Sequence, residues 1–373
     1  MAEKYKIAIV YTHFPHYRSA IFNQLANSKI FHFEFYFDPD GIEKSILVGD
    51  INKSHNFLAT YALSGKFYFQ PKIFNLILKR DFDAFIFLGN PYIITTWFAA
   101  LFLRICKKKV FFWTHGWLRE ESTLKTLIRN IFYRLADSLL LYGNRAKKFG
   151  VEQGFTVEKL HVIYNSLDYY SQRNARIQLE KLKTTSSLPY FLTVARLISD
   201  VDLDLAIHAI QNIQSRTFKK FELIVVGDGP LRSTLQATAE RLQVPIRFLG
   251  AIYDEEKLAE LFFNCIAVVS PGKVGLLAMH AFAYGAPVIT HDDFDHQGPE
   301  VEAIEPGVTG AFFPRGDANV LAKLMLDFLT GQISTIDRAK AISIVENYYT
   351  PAVQRQLIEE ALAKTLHRHE FEK

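Results

Sequence analysis

The sequence predicts an α/β chain made of two doubly wound halves joined by a polar linker. Three observations carry this. The chain has 373 residues, 49% of them hydrophobic and 22% charged, which is too long for one ordinary domain and enough for two cores. Short apolar runs rich in β-branched and aromatic residues alternate with helical patterns, and the alternation occurs twice. Between the two series lies a polar stretch without strand signal.

In the first half the runs are KIAIVYT (6–12), HFEFYF (32–37), DAFIFLG (83–89), KVFFWTHG (109–116) and SLLLYG (138–143). Nearly continuous apolar strands separated by helices imply a parallel sheet covered on both faces. The strand signal then fades, and the stretch closing in Thr-Thr-Ser-Ser-Leu-Pro reads as a linker over 169–189. The second series is YFLTVAR (190–196), FELIVVGDGP (221–230), PIRFLG (245–250), IAVVSPG (266–272) and PVIT (287–290), with helices between them. The expected domains are therefore 1–168 and 190–350. They leave a C-terminal helix over 351–373 that can pack back on the first domain. Two doubly wound halves are expected to face each other across a cleft at their carboxyl strand ends, where such folds bind ligands.

Composition narrows the function classes. Cys106 and Cys265 lie in apolar surroundings far apart in sequence and read as reduced core thiols. The opening MAEKYKIAIVYTHF runs from a short polar start into a strand without a leader core, so a cytoplasmic location is expected. Tyr92–Leu103 is apolar but shorter than the roughly 20 residues that span a bilayer, and reads as a buried helix. Net charge is only +4, yet residues 97–150 hold eleven Lys and Arg against three acids, among Trp, Phe and Leu. That bias reads either as a solvated helix face or as peripheral docking to an anionic membrane surface, here the inner face of the plasma membrane. No nucleic-acid-binding module accompanies it.

Two turns carry the chemistry. Gly227-Asp228-Gly229-Pro230 ends a buried strand, and its glycines permit either a sharp turn or close approach to a ligand. Ser270-Pro271-Gly272-Lys273-Val274-Gly275-Leu276 links a strand to a helix. Glycines at a helix start offer N–H groups to an anion and Lys273 adds a full charge, which suggests a diphosphate cradle.

The succession ARL, GDGP, FLG, SPGKVGLLAMHAFAYGAPVIT and PEVEAIEPGVTGAFF, over about 190–315, resembles the donor half of the retaining glycosyltransferase family 4, of GT-B fold. The first half resembles that family only in strand order, in the His115-Gly116 turn and in VIYNSLD before the linker. The resemblance implies an acceptor-binding first domain and a second domain for a nucleotide-sugar. It implies sugar transfer to a glycan or lipid-linked acceptor with retention of configuration, as in bacterial surface polysaccharide synthesis, with the two domains closing over the donor. It brings no cofactor and no metal; the Asp-x-Asp pairs at 38/40, 81/83, 202/204 and 293/295 read as chance matches.

The resemblance also distributes roles. Arg196 matches the arginine at the donor diphosphate, Lys273 supplies a second cation, and His115 matches the histidine near the transferred sugar. Gly227, Asp228, Gly229, Gly272, Val274, Gly275, Leu276, His280 and Glu300 fall on donor-side segments. His13, His16, Arg18 and Asn90 fall on the acceptor side. Three positions depart from the family. Val201 stands where the family has a diphosphate-binding lysine, and Gly272 and His280 stand where it has a pair of glutamates. Lys273 would replace the missing charge, and His280 would take a ribose hydroxyl, since imidazole both donates and accepts. The lost glutamates leave open a catalytically degenerate GT-B partner subunit, and the shared architecture leaves open a nucleotide-sugar epimerase.

Overall fold

The computed structural model describes residues 4–39, 49, 56–63, 65–79, 81–181, 188–333 and 335–371, with side chains to 366. Asp40, residues 182–187 of the expected linker and residues 372–373 lie outside these. The chain divides into two units, one of Met1–Asp168 with Thr350–Lys373 and one of Tyr169–Tyr349.

In the first unit, strands β1 (Lys6–Val10), β2 (His32–Phe37), β3 (Asn56–Phe57), β4 (Tyr61–Ala62), β5 (Tyr68–Phe69), β6 (Ala84–Leu88), β7 (Lys109–Thr114), β8 (Ser138–Leu141) and β9 (Leu160–Val162) alternate with five helices. These are α1 (Ser19–Ala26), α2 (Ile73–Lys79), α3 (Ile94–Ile105), α4 (Thr123–Tyr133) and α5 (Asn144–Glu152). Seven strands form a parallel sheet in the order β3-β2-β1-β6-β7-β8-β9, and β4 pairs antiparallel with β5. The strand period of two splits the apolar residues between faces. Ile7 and Ile9 join Phe22, Phe35 and Trp113 on one side, and Ala8 and Val10 join Phe85, Phe87 and Phe112 on the other.

The second unit holds α6 (Tyr169–Lys181), β10 (Tyr190–Val194), α7 (Leu203–Gln214), β11 (Glu222–Val226), α8 (Arg232–Arg241), β12 (Ile246–Gly250), α9 (Glu255–Asn264), β13 (Val268–Ser270) and α10 (Leu277–Ala283). It continues through β14 (Val288–His291), β15 (Gly310–Phe313), α11 (Ala318–Thr330) and α12 (Arg338–Tyr348). Its six parallel strands run β12-β11-β10-β13-β14-β15. In each sheet the order reverses once, between β1 and β6 and between β10 and β13, and the carboxyl ends of such a pair form the ligand crevice of doubly wound sheets.

The last helix, α13 (Pro351–Phe371), belongs to the first unit. Ile358 and Leu362 enter the core with Phe22 and Trp113. Gln354, fully buried, accepts from Ser166 Oγ at 2.7 Å and donates to the Tyr164 carbonyl at 2.7 Å.

Three local expectations differ from the structure. Residues 169–181, assigned to the linker, form α6, because Tyr169, Gln172 and Arg176 share one buried side of an otherwise polar helix. Arg176 Nη1 there donates to the Ala283 carbonyl at the end of α10. Strands β9 and β15 carry no strong strand signal, the first being three residues long and the second opening on glycine. The apolar Tyr92–Leu103 run yields α3, buried along one side only: Ala99, Ala100 and Leu103 are covered while Phe98 and Leu101 are exposed.

Candidate donor and acceptor sites

In the second unit the loops leaving β10 and β13 meet at the reversal point. Arg196 follows β10 and Lys273 follows β13, both with exposed side chains. The loops are stitched by backbone: the Gly272 N–H donates to the Val201 carbonyl and the Lys273 N–H to that of Asp200, each at 3.0 Å. The Val274 N–H donates to Gln297 Oε1 at 2.8 Å. Within the turn over 270–276 expected to offer open N–H groups, those of Gly272, Lys273 and Val274 each have an acceptor within the unit, which corrects the expectation at those three positions. Space remains at Gly275, where φ is +49° and nothing lies within 4 Å of an added Cβ. Leu276 then leads into α10 without a side-chain capping bond.

Gly272 cannot carry any side chain in this geometry. A Cβ there would sit 2.0 Å from the Asp200 carbonyl oxygen, far inside contact distance. The glycines of the β11 turn obey the same rule. A Cβ on Gly227 would meet the Ala195 oxygen at 1.8 Å and one on Gly229 the Leu197 oxygen at 2.5 Å. Leu197 N–H donates to the Asp228 carbonyl at 2.9 Å. Of the two readings of Gly-Asp-Gly, close backbone packing is the one observed, and it braces the segment that presents Arg196. Asp228 itself accepts from the Gly229 N–H and from Arg232.

Glu300, 3% exposed, turns toward the β13 loop: its Oε2 lies 2.9 Å from the Cβ position of Gly298, which in turn is 3.0 Å from Gly275 Cα. His280 departs from its expected role. Its Nε2 lies 2.9 Å from Glu255 Oε1 and its ring packs on Phe262 at 4.4 Å, so the imidazole is committed to α9. Gln297 went unrecognised in the sequence. It is 2% exposed, and its Nε2 reaches Thr290 Oγ1 at 2.9 Å, the His291 carbonyl at 3.2 Å and the Gly272 carbonyl at 3.4 Å. One amide thus holds the β13 loop to the end of β14. Asp293, from an Asp-x-Asp pair, is engaged by Arg315 at 3.0 Å and His296 at 2.7 Å.

In the first unit the loop after β1 carries His13, His16 and Arg18, and the loop after β6 carries Asn90. His16 is exposed, and His13 Nδ1 lies 3.2 Å from Thr12 Oγ1. Asn90 Oδ1 accepts from the Tyr92 N–H at 3.0 Å, an Asx turn that shapes its own loop. Arg18 does not stand on a solvated turn as its sequence context suggests. It is 6% exposed, donates to Tyr142 Oη, and lies over the rings of Tyr11, Trp113 and Tyr142 at 5.6, 5.2 and 5.3 Å. Burial pushes the Tyr11 and Tyr142 phenols above their usual range, so both stay neutral beside this charge. Among the described residues Arg18 Nη1, Tyr11 Oη and Trp113 Nε1 are buried without a hydrogen-bond partner. The exposed ring of His115 packs on Tyr142 at 4.7 Å. The structure therefore joins Arg18 and His115 through Tyr142, a residue the sequence offered only as the end of an apolar run. A cavity of about 650 Å³ opens elsewhere in this unit, lined by Lys109, His161 and Thr365 among others, and includes none of these residues.

Residues 175–346, a little under half of the chain, match the family model described as glycosyl transferases group 1. No curated protein matches. Among solved structures, the lipopolysaccharide outer core galactosyltransferase WaaB in its apo form is similar with a TM-score of 0.70 and 16% identity, over 96% of this chain and 99% of that one. Anabaena Alr3699/HepE in complex with UDP gives 0.70 and 17%, over 96% and 100%. A putative UDP-N-acetylglucosamine 2-epimerase from Listeria monocytogenes gives 0.64 and 14%, over 98% of each. At such identities the likeness establishes the fold, which is GT-B, with two Rossmann-like units.

Proposed function

We propose that this chain, whose residues 175–346 match the glycosyl transferases group 1 model, moves a sugar from a nucleotide-diphosphate donor to a glycan or lipid-linked saccharide acceptor. The observation that carries the reading is the position of Arg196 and Lys273, two exposed cations at the carboxyl ends of the strands where the second sheet reverses. As the bond from the anomeric carbon to the diphosphate oxygen breaks, negative charge builds on the leaving group, and these cations stabilise it where it develops. The acceptor hydroxyl forms the new bond to the anomeric carbon and its proton passes to the departing phosphate. Transfer with retention follows from the family 4 resemblance, and no protein carboxylate nucleophile is needed. Arg18, Tyr142 and His115 form the acceptor-side counterpart in the first unit. The UDP complex of the Anabaena protein and the lipopolysaccharide role of WaaB support testing UDP-sugars first and support a surface polysaccharide as the product.

A second reading, a catalytically degenerate partner subunit, draws on the internally engaged N–H groups of Gly272 and Lys273. The deciding experiment is thermal stabilisation by UDP-, GDP-, dTDP- and CMP-sugars with wild type, Arg196→Ala and Lys273→Ala. A donor-specific rise lost in both variants supports transfer, and turnover with that donor completes the case. No rise with any nucleotide-sugar removes the transferase reading and leaves the partner reading.

A further inference from the structure

We propose that the outward faces of α3 and α4 seat the first unit on an anionic lipid bilayer. Each helix already buries one side in the protein: Ala99, Ala100 and Leu103 of α3, Phe132 and Tyr133 of α4. The opposite side of a surface helix ordinarily carries polar residues. Here it carries Phe98, Leu101 and Ile105 on α3, spaced i, i+3, i+7, and Leu124, Leu127, Ile128 and Ile131 on α4, spaced i, i+3, i+4, i+7. Their exposure runs from 45% at Ile128 to 73% at Ile105.

The helices are neighbours. Trp97 packs on Phe132 with ring centroids 4.8 Å apart, and Arg104 Nη1 donates to the Arg134 carbonyl at 3.0 Å. Seven large apolar side chains are thus exposed on two neighbouring helices, and exposed apolar surface of that extent marks interaction sites.

Charge selects the occupant. Neither helix contains an acidic residue; Arg104 and Lys125 are exposed on them and Lys107 and Arg134 just beyond their C-terminal ends, against one exposed acid, Glu120, ahead of α4. A second copy of the chain docking by this face would bring the same cations toward each other with no acid on either helix to offset them. A bilayer with anionic headgroups answers both features: leucine, isoleucine and phenylalanine enter the boundary of headgroup and acyl chain, and the cations meet the phosphates. No helix among the described residues is long and apolar enough to cross a membrane, so the attachment is to one leaflet. This inference goes beyond the transfer reading and does not rest on it.

The test is cosedimentation of the full chain with vesicles of phosphatidylcholine alone and of phosphatidylcholine with 30 mol% phosphatidylglycerol. Wild type is expected to bind the mixed vesicles and to be released as salt rises. Leu127→Ser with Ile128→Ser, both at exposed positions, is expected to abolish binding with unchanged circular dichroism melting. Lys107→Gln with Lys125→Gln should lower the partition onto mixed vesicles roughly thirtyfold, about fivefold per cation, and leave pure phosphatidylcholine unaffected. Wild type remaining in the supernatant at low salt, or the double serine variant binding as wild type does, overturns the proposal. So does a wild-type dimer that the serine pair converts to a monomer with no vesicle binding, which would assign the face to a second copy. Thermal response to nucleotide-sugars, measured on the same preparations, reports on transfer separately.

Discussion

Replacing Gln297 by leucine removes the amide that pins the β13 loop while nearly conserving its volume. Val274 loses its acceptor, and its N–H, in a residue 4% exposed, is left buried without a partner, which costs about 1–3 kcal/mol. The short bond from Nε2 to Thr290 Oγ1 at 2.9 Å contributes about 1 kcal/mol more. The longer contacts to the His291 and Gly272 carbonyls are shared among the remaining amide hydrogens and add little, giving a total of roughly 2–4 kcal/mol. For a unit of this size each kilocalorie lowers the melting temperature by about 2–4 °C, so Gln297→Leu should melt at least about 4 °C below wild type. Because the loop carries Lys273, the donor-induced stabilisation should shrink as well. Differential scanning calorimetry with and without the nucleotide-sugar that stabilises wild type reads both effects. A melting temperature within 1 °C of wild type would refute the claim that this amide holds the loop; lost stability with full donor response would separate the loop's position from binding.

Three further outcomes follow from particular side chains. Gly272→Ala places a Cβ 2.0 Å from the Asp200 oxygen, so stability in urea titrations should fall by about 1–3 kcal/mol or more, and an unchanged midpoint would contradict this packing. Burial pushes the Cys265 thiol up to about 12, so at pH 8 a disulfide reagent should label Cys106 in the native protein and Cys265 only on unfolding; two native labels would contradict the buried assignment. Burial lowers the His291 pKa, and its Nδ1 accepts from the Asp293 N–H, which requires the neutral ring. The neutral form favours the fold, so this contribution is present above about pH 6.5, the ordinary histidine value, and is lost as pH falls through the depressed folded value. His291→Asn should flatten that part of the stability profile, and an unaltered profile would remove His291 as its source.

The fold was legible wherever an apolar run had to be buried on both faces. All ten apolar runs contain strands, including the half-exposed β2 and β12, and the reversal points that position Arg196, Lys273 and the β1 loop follow from their order. What escaped was set by tertiary contacts rather than by pattern. Helix α6 buries three of its thirteen residues, two of them polar, so its periodicity resembles that of a solvated linker. Gln297 looks like any polar residue in a turn until β14 and the β13 loop surround it. Arg18 reads as a loop cation because no sequence rule announces that Tyr11, Trp113 and Tyr142, drawn from three strands, will close around it.

Val201 and Gly272, two of the three departures from the family 4 pattern, touch each other. Where the resemblance supplies a lysine and a glutamate, this chain has the Val201 carbonyl accepting from the Gly272 N–H at 3.0 Å, and a Cβ at 272 would lie 2.8 Å from the Val201 carbonyl carbon. Random loss of an acid would leave a position that tolerates alanine or serine. This one tolerates neither, because the backbone of 200–201 fills the space. The two departures therefore coincide at one place, where the backbones of the loops after β10 and β13 make direct contact. The contact leaves Arg196 and Lys273 exposed on the same two loops, and Gly275 with room beside it. If the donor binds as proposed, its charge is met by those two cations, because the N–H groups of Gly272, Lys273 and Val274 are engaged within the unit. That is why substituting either cation should weaken donor binding more than the loop's glycine content alone suggests.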